Sequence, residues 1–194
     1  MQKHRDRGDI LEPTYRALVK DRYADITIQR IGETFEKSPS LVYHHFENKD
    51  EVVLACLEYM LDRFGEIQTK AQMEDPHQRF EEIVEWTYGT INFPEERDFI
   101  GLLIDLRTVA CNDPAFADHF TRSDALFVSH LTHVIERGND SDVFACADPA
   151  TSAEALFTYL LGVMVRGSTQ TDQEAVAVTR DEIDWYIEQR ILSH

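Results

Sequence analysis

The chain has little of what covalent, redox or metal chemistry requires. Cys56, Cys111 and Cys146 are its three cysteines, an odd number, widely spaced, with no CxxC or Cys/His cluster. That pattern points away from a disulfide scaffold or a structural zinc site and reads as reduced thiols. His130 and His133 lie three apart without HExxH-type spacing, and there is no Gly-rich phosphate loop, nucleophile elbow or paired-carboxylate motif. No metal, no cofactor and no enzymatic activity are therefore expected. Eight glycines and six prolines among 194 residues, with 43% apolar content, mark a globular chain and not a low-complexity one. Long apolar runs are missing too. The strongest, about Ala155 to Val165, is too short to span a bilayer, and MQKHRDRGDI at the start carries no apolar signal segment. These absences give the expectation of a cytoplasmic protein with no membrane partner.

Positive charge is scarce and unevenly placed. Residues 1–50 hold nine Lys/Arg and nine Asp/Glu, so the net charge of −17 falls entirely on residues 51–194. Four of the five lysines (Lys3, Lys20, Lys37 and Lys49) lie in the first segment. DNA repels strongly negative surface, so only the first segment is electrostatically admissible to a duplex. Acidity can equally be a solubility trait. An acidic, lysine-poor surface resembles that of proteins from salt-rich cytoplasm, and a halophilic source is the expectation it raises.

What is present in that first segment is TIQRIGETFEKSPSLVYHHFENK, Thr27 to Lys49. Thr27 can cap a short helix with Ile28, Ile31 and Phe35 at i, i+3 and i+7. Glu36 to Pro39 breaks the period. Ser38 offers a second cap, with Pro39 at the first helical position, where its missing N–H costs nothing. A very short helix then runs from Pro39 to Phe46, and Asn48 caps a long one from Lys49. Two short helices joined by a tight turn leave the second one protruding, a shape that fits the major groove. Val42 and Phe46, four apart, are expected in the core, and His45 is open between packing and a phosphate contact.

The rest reads as helix throughout, without a convincing alternating strand. The expected fold is all-α with about nine helices: an N-terminal three-helix helix-turn-helix domain over residues 1–50, continuing into a linking helix 49–73, and a helical bundle over 51–194 for ligand binding and dimerisation. The first helix is expected from Ile10 to Tyr23, with Pro13 in its first turn or cutting it short. Leu156, Leu160, Leu161, Gly162 and Met164, with Tyr186, Ile187 and Ile191, give the last two long helices more apolar width than one small core needs. They are the expected homodimer interface.

The run Leu41-Val42-Tyr43-His44-His45-Phe46 followed by Asn48-Lys49, with Thr27 before the second helix and Ser38 in the turn, resembles the TetR family of transcriptional regulators. The match is strongest from Ile10 to Leu57. Phe116 to Gly138, Val143-Phe144, Asp148-Pro149 and the apolar helix with Gly162 resemble the later helices of the branch that includes the choline-responsive repressor of betaine synthesis. Two departures stand out. Arg22 precedes Tyr23 where family members usually have Gly, and Phe35-Glu36-Lys37 replaces the usual Ala-Gly-Val before the turn serine.

The resemblance implies a ligand-responsive regulator, a repressor released from a palindromic DNA operator by a small molecule. Carried over by position, its DNA-facing set is Thr27, Gln29, Ser38, Pro39, Ser40, Leu41, Tyr43, His44 and Lys49. Chemically, Gln29 can read adenine or donate to a phosphate and Leu41 can meet a thymine methyl, while Tyr43, His44 and Lys49 suit phosphate. An unidentified effector is expected among Phe64, Trp86, Phe93, Phe99, Leu103, Leu106, Phe127, His130 and Phe157, any one of which can instead be an ordinary core residue. The choline-responsive branch further implies an aromatic and acidic cage for a quaternary amine. The competing reading is a small helical ligand-binding protein or enzyme with a vestigial DNA-binding domain.

Overall fold

The computed structural model describes residues 2–33, 40–71, 75–92, 94–169 and 173–192. Among them run nine helices: α1 (Gln2–Asp25), α2 (Ile28–Glu33), α3 (Ser40–His45), α4 (Lys49–Ala71), α5 (Pro76–Asn92), α6 (Pro94–Ala110), α7 (Pro114–Asp140), α8 (Pro149–Thr169) and α9 (Gln173–Arg190). The only extended pairing among the described residues is an isolated antiparallel bridge between Phe144 and Leu192. The all-helical expectation holds.

Helix starts follow from side-chain chemistry. Three helices open on Asp-Pro. The carboxylates of Asp75, Asp113 and Asp148 accept backbone N–H bonds from Gln78 (3.0 Å), Ala115 (2.8 Å) and Thr151 (3.1 Å). The prolines that follow occupy positions where no N–H is needed. Asn48 caps α4 by accepting from the Glu51 N–H at 2.9 Å, and Glu51 reaches back to the Glu47 N–H at 2.7 Å. That is a reciprocal arrangement close to a capping box. The expected start of α1 is corrected: the helix begins at Gln2 and runs through Pro13. Leu11, Thr14, Ala17 and Leu18 are buried on either side of the proline. Their packing outweighs the one backbone bond that Pro13 cannot donate.

The chain divides into two compact units, residues 1–67 with 101–122, and residues 68–100 with 123–194. Residues 101–122, placed with the C-terminal region by the sequence reading, thus group with the N-terminal helices. The first unit packs Leu18, Ile26, Ile31, Val42, Phe46, Val52, Val53, Leu106 and Phe116 into one core. Val42 and Phe46 are core residues, as their spacing predicts.

The second unit is built on Phe80, Val84, Ile135, Phe144, Leu156, Leu160, Ile187 and Ile191. Its polar loop after α7 is drawn inward. Phe144 meets Phe80 edge-on at 5.4 Å between centroids and lies so close over Gly138 that any side chain there would overlap its ring. Gly138 serves this close approach. The left-handed residue after the helix is Asp142, at φ 57°. Asn139 fixes the loop by donating to the Cys146 carbonyl at 2.8 Å and accepting from its N–H at 3.0 Å.

Candidate nucleic-acid interface

The helices of the reading motif are short, and the first unit's core sets their orientation. Ile28 and Ile31 anchor α2 from below, and Val42 anchors α3. Thr27 accepts the Arg30 N–H at 3.1 Å and so caps α2. This leaves Thr27, Gln29 and Arg30 exposed on one side of α2 and His44 exposed on α3. Gln29 donates to the Glu33 carboxylate at 3.2 Å, an exposed contact that water or a base edge can replace. His45 is half-buried, its ring 5.2 Å from that of His44. Ser40, Leu41 and Tyr43 belong to α3, while Ser38, Pro39 and the atypical Phe35-Glu36-Lys37 turn lie outside the described residues.

Lys49 sits differently from a simple solvent-facing lysine. Its ammonium donates to the Tyr23 carbonyl at 3.1 Å and lies 4.1 Å from the centre of the Tyr23 ring. An ammonium has three donors, so this anchorage leaves hydrogens for a phosphate. The Tyr23 hydroxyl donates to Asp50 at 2.7 Å. Burial, and then this bond, push its pKa above the usual phenol range.

Just before Tyr23, Arg22 breaks the helical path of α1 at φ 65°, ψ 161°. That region is close to glycine-only and costs a larger residue about 1–3 kcal/mol. Arg22 holds it while donating to both carboxylate oxygens of Asp105 on α6, at 2.8 and 3.1 Å. Its guanidinium fills the space beside Gly101, where a Cβ would overlap it. Neither Arg22 nor Arg30 was picked out as a site residue from sequence. Arg30 is legible as a basic residue on the polar side of α2. The signal for Arg22 was its replacement of a glycine.

The residues expected around an effector are divided between the units. Phe64 and Leu103, half-buried, and Leu106, fully buried in the hydrophobic core, belong to the first. Phe99, Phe127, His130 and Phe157, half-buried, and Trp86 belong to the second, and Phe93 lies outside the described residues. Trp86 is 48% exposed, on the outer side of α5. Phe127 and Phe157 stack at 6.2 Å between centroids. Burial, then Arg79 and His133, hold the pKa of His130 down to about 4, so its ring is neutral near pH 7. An aromatic and acidic arrangement also exists in this unit, and a cation already fills it. Arg180 lies 4.4 Å over the Tyr88 ring, paired with Glu85 and with Asp184.

Of the residues expected at the dimer interface, Leu156, Leu160, Met164, Ile187 and Ile191 are buried within their own chain, four of them in the second unit's core, while Leu161 and Tyr186 are half-buried and Gly162 is exposed. The outer side of the same two helices carries Tyr159 (45% exposed), Gly162, Val165, Val178 and Trp185 (59% exposed). Tyr159 and Tyr186 meet edge-on there at 5.2 Å, beside an open depression of about 400 Å³ that Gly162, Trp185 and Tyr186 help to line.

Residues 76–191 match the family described as the BetI-type transcriptional repressor, C-terminal. The chain belongs to the TetR family, in its BetI-type branch. The regulator BetI of Brucella canis is 26% identical over 92 residues, 46% of each chain. The repressor AcnR of Corynebacterium diphtheriae is 25% identical over 114 residues, 59% of this chain and 55% of that one. The chain spans about half the length of the curated relatives it matches. Among solved structures, a TetR regulator from Haloarcula marismortui superposes with TM-score 0.80 at 28% identity, covering 97% of this chain and 99% of that one. A regulator from Saccharomonospora viridis in complex with choline has TM-score 0.77 at 20% identity, covering 97% and 98%. TetR-family architecture therefore accounts for the order of all nine helices.

Proposed function

We propose that this TetR-family chain is a homodimeric, cytoplasmic, ligand-responsive repressor that binds a palindromic DNA operator through α2 and α3. The observation that carries the reading is the exposed polar side of Thr27, Gln29, Arg30 and His44 on two short helices anchored from beneath by Ile28, Ile31 and Val42. It belongs to the one stretch of chain that does not repel phosphate. In this reading Gln29 and Leu41 read bases, while Thr27, Ser38, Pro39, Ser40, Tyr43, His44 and Lys49 position the backbone. The boundary at residue 50 marks the part that touches DNA, and residues 51–194 serve ligand binding and pairing.

A single six-residue α3 makes too few contacts for specific binding, so two copies are needed on half-sites about 34–36 Å apart. The pairing surface is the outer side of α8 and α9, around Tyr159, Gly162, Val165 and Trp185. The effector acts by binding two arrangements of the dimer with different affinity. A choline-like quaternary ammonium is the first to try. The regulator from S. viridis holds choline, and Tyr88 with Glu85 and Asp184 already accommodates a cation in this chain.

The test is selection of duplexes from a random-sequence pool, followed by mobility shifts at several salt concentrations, with and without choline. A palindromic consensus retarded at moderate salt supports the repressor, and choline release supports the effector class. Failure to enrich any sequence at any salt overturns DNA recognition. A complex indifferent to choline overturns only the effector.

A further inference from the structure

We infer that Arg22 is a positioning residue: its bidentate pair with Asp105 ties the α1–α2 junction to α6 and thereby sets how the reading helices are presented to DNA. Three independent observations support it. Arg22 holds a backbone conformation that glycine adopts freely and arginine does not, at φ 65°, ψ 161°. Its Nε and one terminal nitrogen both bond the Asp105 carboxylate, at 2.8 and 3.1 Å, the planar fork geometry that fixes direction as well as distance. Gly101, one turn before Asp105 on α6, leaves open the space that the guanidinium fills.

The next residue is gripped from the other side by α4. Tyr23 gives its hydroxyl to Asp50 and receives the Lys49 ammonium on its carbonyl and ring. The junction is thus a continuous relay from Asp105 through Arg22 and Tyr23 to Lys49, a proposed phosphate contact, and it ends where Thr27 caps α2. A junction clamped in one conformation presents α2 and α3 at one angle. Released, it lets them rock on their apolar anchors.

This inference rests on the DNA-binding reading, and the test separates the two. Arg22→Gly removes the side chain and the unfavourable backbone together. Asp105→Asn removes the charge and one of the two acceptors of the fork, and Gly101→Ala pushes the guanidinium off its partner. All are assayed on the duplex selected by the unchanged chain and on a set of duplexes whose half-site spacing is varied by one base pair at a time, with melting temperature recorded in parallel. The expected result is a melting temperature within a few degrees of the unchanged chain, a roughly tenfold weaker complex with the selected duplex, and tolerance of spacings that the unchanged chain rejects. Asp105→Glu should recover most of the affinity. Unaltered affinity and spacing preference in Arg22→Gly and Asp105→Asn overturn the inference. So does a loss of affinity that tracks a loss of melting temperature with spacing preference intact, since that marks a merely structural pair. Failure of the unchanged chain to select any duplex defeats the DNA-binding reading, and this inference with it.

Discussion

In the first unit the bonds between distant helices are carried by charged groups: Arg22 to Asp105, Lys49 to Tyr23, and Glu58 to both His119 and Arg122. In the second one such pair, Arg180 to Glu85, accompanies contacts that fall largely on rings and a loop clasp, with Phe144 on Phe80, Phe127 on Phe157 and Asn139 around Cys146. The chemistry differs in consequence. Partly exposed ion pairs contribute about 0–1 kcal/mol to folding, yet they are directional. A buried ring contributes several times more with little angular demand. The first unit is thereby suited to holding an angle that can be altered, and the second to holding its shape.

The sharpest way to break that comparison is to remove one member of each set. Phe144→Ala should cost about 3–5 kcal/mol of unfolding free energy. It is readable by denaturant titration of tryptophan fluorescence, because Trp86 and Trp185 both belong to the second unit. Asp105→Asn should cost no more than about 1 kcal/mol by circular dichroism. Equal costs would erase the distinction. Next in size is Trp185→Glu, which places a charge on the exposed side of α9. If that side pairs two chains, the variant should sediment as a monomer at micromolar concentration and lose about 2 kcal/mol or more of dimer affinity. Unchanged sedimentation would move the pairing surface elsewhere.

On the DNA side, Gln29→Ala should relax preference at a single operator position, by about 1–3 kcal/mol. Lys49→Ala should weaken all sequences alike and flatten the salt dependence. Equal losses on every duplex from both would contradict the division into reading and positioning residues.

Much of this fold is legible in the sequence, and what is not has identifiable causes. Helix order was readable because Asp75-Pro76, Asp113-Pro114 and Asp148-Pro149 punctuate it, and these cap-and-proline starts act locally. The sidedness of α8 was not. Apolar residues surround that helix, so periodicity could not separate the inward Leu156 and Leu160 from the outward Tyr159 and Val165. Apolar width suggests a partner, and much of that width serves the chain's own core. Arg22 was visible only as an oddity, since its role depends on a positive φ and on Asp105, 83 positions away. Pairings of that separation leave no mark in local pattern. The cluster of Tyr88, Glu85 and Asp184 is equally silent in sequence, because Arg180, far along the chain from Glu85 and Tyr88, is what unites it.

The second unit's stability should also depend on pH through His130. Burial, followed by Arg79 and His133, lowers its pKa to about 4, against about 6.5 for an exposed imidazole. Between those values the unfolded chain binds a proton that the folded chain refuses, so unfolding free energy rises with pH across that window and falls on acidification from about 6.5 toward 4. Asp148 works in the same direction. Its carboxyl is held low by its bonds to Thr151, and the stability it contributes is lost as the pH falls and it protonates. Acid sensitivity alone therefore does not isolate the histidine. The difference between the unchanged chain and His130→Gln does, because Asp148 is common to both. Denaturant titrations at half-unit steps from pH 7 to pH 4 should show the shallower slope in the variant, with the two curves converging as acid is added. Parallel curves would mean that His130 accepts its proton in the folded chain as readily as in the unfolded one, which would require the ring to reach water.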